Sequence, residues 1–381
     1  MQRISLLATV AALSAFLLAI PAQARVDDAA ADRYIVVLKD GIDAAAVASQ
    51  HARAHGAGIA HVYGHALNGY AAVIPNQRVA AIRSDSRVAY VEPDGAVAVA
   101  NHQQTLPWGV NKVDADTSST TAGDGSGAIT NVNVYVIDTG VDTGHRDLNI
   151  AGHVNFAGGQ NRDCHGHGTH VAGTVAARDD HYDVVGVAPG APITGVKVLG
   201  CSGSGTWSGV IAGIDWVTAN ARKPAIANMS LGGGANQAVD DAVRRSAASG
   251  VFYAVAAGNE GANACNSSPA RAGAGTNNGI ATVAATDSSD REASWSNYGS
   301  CVDIWAPGVS VLSTRRGGGT TTMSGTSMAS PHTGGGGALY LSSNTGASPS
   351  TVESALKSTA TTTGTTSKDG RAIKRLYVGG F

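Results

Sequence analysis

Val132-Asn133-Val134-Tyr135-Val136-Ile137-Asp138-Thr139-Gly140 is a β-branched, mostly apolar run that ends on a carboxylate and a glycine. A run without polar alternation is expected as a strand covered on both faces, as in a parallel sheet. Further strands are expected at residues 193–199, 226–231, 251–256 and 280–285, with helices between several of them at 208–220 and 237–249. This alternation predicts an α/β fold: a doubly wound, mostly parallel sheet with helices on both faces. Its functional groups should gather outside the carboxyl ends of the strands. Asp138 falls at such an end. An aspartate there is usually a turn or helix cap, so it acquires meaning only from its partners.

Upstream, residues 33–99 read as a separate unit. Strands at 34–38, 69–74 and 88–93 and helices at 44–55 and 76–84 fit the β-α-β-β-α-β order of a small ferredoxin-like α+β domain. A polar stretch, Asn101-His102-Gln103-Gln104-Thr105, separates it from Pro107-Trp108-Gly109. Residues 1–24 have the form of a secretory signal peptide: Arg3, an apolar core over 4–20, then Ala22-Gln23-Ala24 as the cleavage pattern. Residues 25–100 and 101–381 are then expected as the small and the large domain. A compact module ahead of a larger one in an exported chain suggests a removable pro-segment.

Only 14% of the 381 residues are charged and the net charge is −2, with no basic block. Nucleic acid and anionic membranes are therefore not expected partners. No second apolar run is long enough to span a bilayer. Four cysteines in an exported chain imply two disulfides, for which three pairings are possible.

Two further stretches carry chemistry. Asp163-Cys164-His165-Gly166-His167-Gly168-Thr169-His170 holds three histidines within six residues. As a zinc site it lacks the glutamate of a His-Glu-x-x-His helix, and no third ligand is evident. As a general base, one imidazole suffices if a carboxylate orients it and a hydroxyl lies within reach. Gly325-Thr326-Ser327-Met328-Ala329-Ser330-Pro331-His332 offers such a hydroxyl at a loop-to-helix junction, although a serine there is often only a cap.

Taken in order, Asp138-Thr139-Gly140, His167-Gly168-Thr169-His170 and Gly325-Thr326-Ser327-Met328-Ala329 resemble the subtilisin-type (subtilase) serine proteases of the proteinase K and aqualysin branch. The likeness runs over about residues 108–377. It implies Ser327 as nucleophile, His167 as its base and Asp138 as the carboxylate that orients the imidazole. His170 would be a packed helix residue and His165 a loop residue. Asn259, in Ala256-Ala257-Gly258-Asn259, matches the oxyanion-hole asparagine, joined by the Ser327 N–H. Gly203-Ser204-Gly205 and Ser230-Leu231-Gly232-Gly233 resemble the segments that pair with an extended peptide. Ala257 and Gly258, with Ser230 and Gly232, would line an open first specificity pocket for apolar or aromatic side chains. Trp207 would cap a neighbouring subsite or pack in the core.

The resemblance carries further expectations. Residues 25–100 are similar to the inhibitor-like propeptide, an intramolecular chaperone and inhibitor, with cleavage expected near residues 98–101. The branch pairs its cysteines as Cys164–Cys201 and Cys265–Cys301. Structural calcium is implied, with Asp303 matching a carboxylate ligand whose partners are backbone carbonyls upstream. A longer stretch at 272–279 lies where those carbonyls belong. Asp114 and Asp116 are weaker candidates. The whole implies a secreted, monomeric serine endopeptidase made as a self-processing precursor, acting on proteins and peptides without a catalytic metal. The rival readings are a metal-dependent hydrolase built on the histidines and a catalytically weak or dead binding protein.

One departure stands out. After the serine the family usually continues with bulky residues or alanine, whereas this chain has Gly334-Gly335-Gly336-Gly337. Each extra helical glycine costs roughly 1 kcal/mol relative to alanine, and absent side chains remove packing. A weakened helix is expected, one that side chains at 336 and 337 should strengthen.

Overall fold

In the computed structural model the chain forms two compact units, residues 1–100 and 101–381. The structure describes residues 33–94 and 104–381. The expected signal peptide and the expected cleavage region near 98–101 lie outside the described residues.

The first unit runs β1 (Arg33–Leu38), α1 (Ala44–His55), β2 (Gly58–Tyr63), β3 (Gly69–Val73), α2 (Asn76–Arg83) and β4 (Val88–Pro93). Its sheet has the order β2-β3-β1-β4. Val36, Leu38, Val47, Tyr70, Ile74, Ile82 and Val91 form its core. The β-α-β-β-α-β order is the expected one, but β2 was not located from the sequence. It is an edge strand paired with β3 alone, and most of its residues are exposed, so it carries little apolar signal.

The second unit opens with α3 (Trp108–Lys112), β5 (Asn133–Asp138), β6 (Ile150–Asn155), α4 (His167–Ala176), β7 (Ile193–Lys197) and α5 (Trp207–Asn220). It continues with β8 (Ala225–Met229), β9 (Gly233–Gly234), α6 (Gln237–Ala248), β10 (Val251–Ala256), β11 (Ser267–Ser268), β12 (Ile280–Thr286) and β13 (Ile304–Pro307). It closes with β14 (Val311–Thr314), β15 (Thr320–Met323), α7 (Thr326–Ser343), α8 (Pro349–Thr359), β16 (Thr361–Thr366) and β17 (Ala372–Arg375).

Nine of these strands form one sheet in the order β16-β17-β13-β12-β10-β8-β5-β7-β6. Every pairing in it is parallel except β16 with β17. β5 lies inside the sheet between β7 and β8. Val134 and Val136 join the core under α4, α7 and α8, while Tyr135 and Ile137 join the core under α5 and α6. Burial on both faces is the physical reason the run at 132–137 shows no alternation.

Helix α7 packs on α4 and crosses β8, β10 and β12, and all four glycines of its run are buried. Here the structure corrects the expectation of lost packing. A Cβ at Gly335 would lie 2.5 Å from Val187 Cβ, one at Gly336 2.9 Å from Val378 Cγ1, and one at Gly337 2.6 Å from the Phe252 ring. Neighbouring side chains occupy the space that bulkier helix residues would take. Gly334 alone has room, its nearest neighbour being Ile226 Cδ1 at 3.5 Å.

Candidate active site

The carboxyl end of β5 delivers Asp138 into the interior, fully buried. Its Oδ1 accepts the Thr139 N–H at 2.7 Å and faces His167 Nδ1 at 2.7 Å. His167 is the first residue of α4, and its side chain is 20% exposed. Burial pulls the imidazole pKa down, but the charge and hydrogen bond of Asp138, helped by the charge of Asp163, outweigh it. The net result lies above the ordinary histidine value. Gly168 permits this approach of α4 to β5: a Cβ there would stand 2.1 Å from the Gly140 carbonyl oxygen.

Two residues that the sequence reading passed over organise this side. Asp163 is buried and accepts from Thr139 Oγ1, the N–H groups of His165, Gly166 and Thr169, and Thr169 Oγ1, at 2.6–3.1 Å. Lys197, at the end of β7, buries its ammonium against the carbonyls of Thr139 (2.8 Å) and Leu199 (2.7 Å). Desolvation lowers its pKa, while Asp163 and Asp138 oppose that. An acidic residue four positions before a helix start was the available signal for Asp163. Lys197 gave none, because only the fold brings β7 beside β5.

The three histidines diverge. His170 is buried with Nε2 against the Val311 carbonyl at 3.0 Å, whereas His165 lines the cleft edge-on to His167. Among the described residues no three His, Cys, Asp or Glu side chains cluster as a metal site.

Ser327 is the second residue of α7. Its Oγ donates to the Ser230 carbonyl at 3.2 Å, and its own carbonyl accepts Ser230 Oγ at 2.7 Å. The hydroxyl is thus directed at Ser230 rather than at the imidazole, a loose geometry common in enzymes without substrate. Asn259 follows β10. Its Oδ1 accepts the Thr326 N–H at 2.8 Å and Thr326 Oγ1 at 3.0 Å, which leaves the amide NH2 as its other polar end.

A cleft of about 620 Å³ holds His167, Gly203, Ser204, Gly205, Ser230, Leu231 and Gly232 together with Trp207. Trp207 is half-buried: it packs on the α5–α6 core and also faces the cleft. A second cavity of about 360 Å³ is lined by Leu231, Gly232, Ala257, Gly258, Asn259 and Ser327. Ser230 does not line it, in contrast to the expectation, because its hydroxyl is tied to the Ser327 backbone. Glu260, unremarked in the sequence, does line it, with Oε2 held by Asn297 Nδ2 at 2.7 Å. Disulfides join Cys164 to Cys201 and Cys265 to Cys301, the pairing expected from the resemblance. The first bridges the histidine loop to the segment preceding Gly203.

Two places bear on the implied calcium. Asp303 does not fit: Lys357 Nζ lies 2.7 Å from its Oδ1, and the Thr282 N–H donates to its Oδ2 at 2.9 Å. An ammonium stands where a metal would. Asp147 does fit. It is fully buried, one oxygen accepts the Val184 N–H at 3.2 Å, and the other has no partner among the described residues. Burial, with the charges of Asp180 and Asp183 adding to it, pushes this carboxyl up to about 8. Gln104 donates to the carbonyls of Arg178 (2.7 Å) and Val184 (3.2 Å), and its own buried Oε1 is also unpartnered. Orphaned carboxylate and amide oxygens among carbonyls are the hard ligands calcium takes. These oxygens come from distant segments, so no local motif announced them. Asp114 lies 4.0 Å from Arg375, and Asp116 keeps one unpartnered oxygen.

Comparison with known proteins agrees with this geometry. Residues 130–378 match the model of the Subtilase family and residues 33–100 that of Peptidase inhibitor I9. The chain is 45% identical to an extracellular serine proteinase of Thermus sp. (strain Rt41A), over 79% of this chain and 73% of that protein. It is 43% identical to alkaline serine exoprotease A of Vibrio alginolyticus over 83% of this chain, spanning 59% of that protein's length. A crystal structure of a cold adapted subtilisin-like serine proteinase superposes with a TM-score of 0.65 at 43% identity, covering 72% of this chain and 98% of that one. The chain belongs to the subtilase family of serine proteases and carries an I9 inhibitor-type propeptide domain ahead of its peptidase domain.

Proposed function

We propose that this chain is the precursor of a secreted serine endopeptidase that cleaves peptide bonds through an acyl-enzyme and removes its own propeptide. The observation that carries the reading is the Asp138–His167 pair at 2.7 Å beside one cavity and Ser327 with Asn259 in a second, the two cavities adjoining through the shared wall Leu231, Gly232, Gly233 and Gly234. In this scheme His167 accepts the Ser327 hydroxyl proton as Oγ attacks the scissile carbonyl, and returns it to the leaving amine. Asp138 holds the tautomer and stabilises the imidazolium. The Asn259 amide and the Ser327 N–H, at a helix N-terminus, receive the oxyanion. Gly203–Gly205 and Ser230–Gly232 would take the substrate as an added strand, which suits broad selection among protein and peptide substrates.

Ala257, Gly258 and Gly232 would form the first specificity pocket and Trp207 a wall of a neighbouring subsite. The signal at 1–24 and the propeptide boundary near residue 100 belong to the same proposal, as does a monomeric mature enzyme. Calcium would be held through the unpartnered oxygens of Asp147 and Gln104. There its charge would neutralise a buried carboxylate and tie residues 178–184 to the start of the large domain. Removing calcium with a chelator should lower the Tm, and Asp147→Asn should abolish that response. A full response in the variant would move the site elsewhere.

Two measurements test the main reading. A sulfonyl fluoride or organophosphate should label Ser327, and the Ser327→Ala precursor should accumulate uncut. Labelling elsewhere, or normal maturation of Ser327→Ala in a protease-free system, would overturn it.

A further inference from the structure

We infer that Lys357 is the resident cation at the Asp303 corner, an ammonium built into the chain where this fold would otherwise hold a divalent metal. The Nζ of Lys357, on α8, lies 2.7 Å from Asp303 Oδ1 and 3.0 Å from Glu353 Oε1. Both carboxylates are buried, Glu353 completely. The ammonium thus lies between two carboxylates, each within hydrogen-bond distance.

The remaining oxygens of the corner are also satisfied from within. Glu353 Oε2 accepts the N–H groups of Asn278 and Gly279, each at 2.8 Å. The Ala270 carbonyl accepts Thr282 Oγ1 at 2.6 Å. The Arg271 carbonyl accepts Arg244 at 3.2 Å, and the Ala272 carbonyl accepts Arg244 Nε at 3.1 Å and Asn278 Nδ2 at 2.9 Å. Calcium requires about six to eight oxygens at roughly 2.3–2.6 Å. Here the same oxygens face N–H, O–H, guanidinium and ammonium donors, and an added divalent ion would confront two positive side chains. The longer segment at 272–279 is part of the device. It supplies the backbone donors that seat Glu353, which in turn seats Lys357.

The corner should therefore be held without metal, independently of any calcium at Asp147. The test uses the full chain with Ser327→Ala, which prevents autolysis. Calcium titrated by calorimetry into this protein and into its Asp303→Asn derivative should give the same stoichiometry, with affinities within about twofold. Loss of a binding event in the derivative overturns the proposal. In excess EDTA, Lys357→Met should lower the Tm by about 5 °C or more, because it strands two buried carboxylates. Adding Asp303→Asn and Glu353→Gln should recover most of that loss. A Lys357→Met protein as stable as its parent overturns the proposal. If that variant does not fold, the calorimetric comparison on Asp303→Asn decides alone.

Discussion

On the histidine side of the cleft, three buried charges do the positioning: Asp138 on the imidazole, Asp163 on the loop and helix start, and Lys197 beneath both strand ends. On the serine side there is no such charge. Ser327 and Asn259 are set by neutral hydrogen bonds to Ser230 and Thr326, and the helix behind them is seated by the close fit of glycines against Val187, Val378 and Phe252. In the proposed mechanism the imidazole gains its charge in a prearranged field. The serine and the asparagine sit against a tightly packed helix. Charge networks are sensitive to isosteric changes that alter protonation, whereas packed contacts are sensitive to added volume.

The largest expected effect is on the charged side. Asp138→Asn keeps the shape and removes the charge, so kcat should fall by about 10⁴ with little change in KM. A loss below about tenfold in steady-state hydrolysis would mean that the field matters little. Next comes the neutral side: Asn259→Ala should lower kcat by about 10² to 10³, the range known for a lost oxyanion donor in this family. Equal losses at the two positions would erase the contrast.

The field should also be visible in the pH profile. His167 is raised above its ordinary value by Asp138, and it must be neutral to accept a proton. The kcat/KM curve should therefore rise with pH through an inflection above that of a free histidine. Placing that inflection below the ordinary value would show burial winning over Asp138. The smallest effects should come from volume on the serine side. Gly337→Ala should cost about 1 to 3 kcal/mol of stability through overpacking on Phe252. Gly334→Ala, which has room, should be neutral or gain up to about 1 kcal/mol. Urea unfolding measures both, with kcat unchanged for Gly334→Ala. A stabilised Gly337→Ala would restore the view of the run as a defect.

Motif order made much of the candidate site legible in the sequence, because Asp138, His167 and Ser327 each sit at a strand end or a helix start, and such junctions leave local signatures. The parallel sheet was legible for the same reason, since a strand buried on two faces must be apolar throughout. The edge strand β2 was not, because a half-exposed edge leaves no pattern. Asp163 and Lys197 were passed over because their roles exist only between elements. Glu260 drew no notice because only the folded loop places its carboxylate at the cavity wall. The glycine run was misjudged for a related reason: a missing side chain reads as a hole until its neighbours are known, and Phe252 and Val378 lie far along the chain.

What the sequence by itself determined is the set of chemical groups and the elements that carry them. These follow from short-range physics: periodicity, caps, and the few residue types able to act as acid, base or nucleophile. Tertiary structure alone decided which carboxylate finds a cation inside the protein and which is left with bare oxygens, as between Asp303 and Asp147. It also decided whether four glycines weaken a helix or fit it. Electrostatics and packing in a dense interior depend on groups brought together from distant parts of the chain, and no local pattern records them.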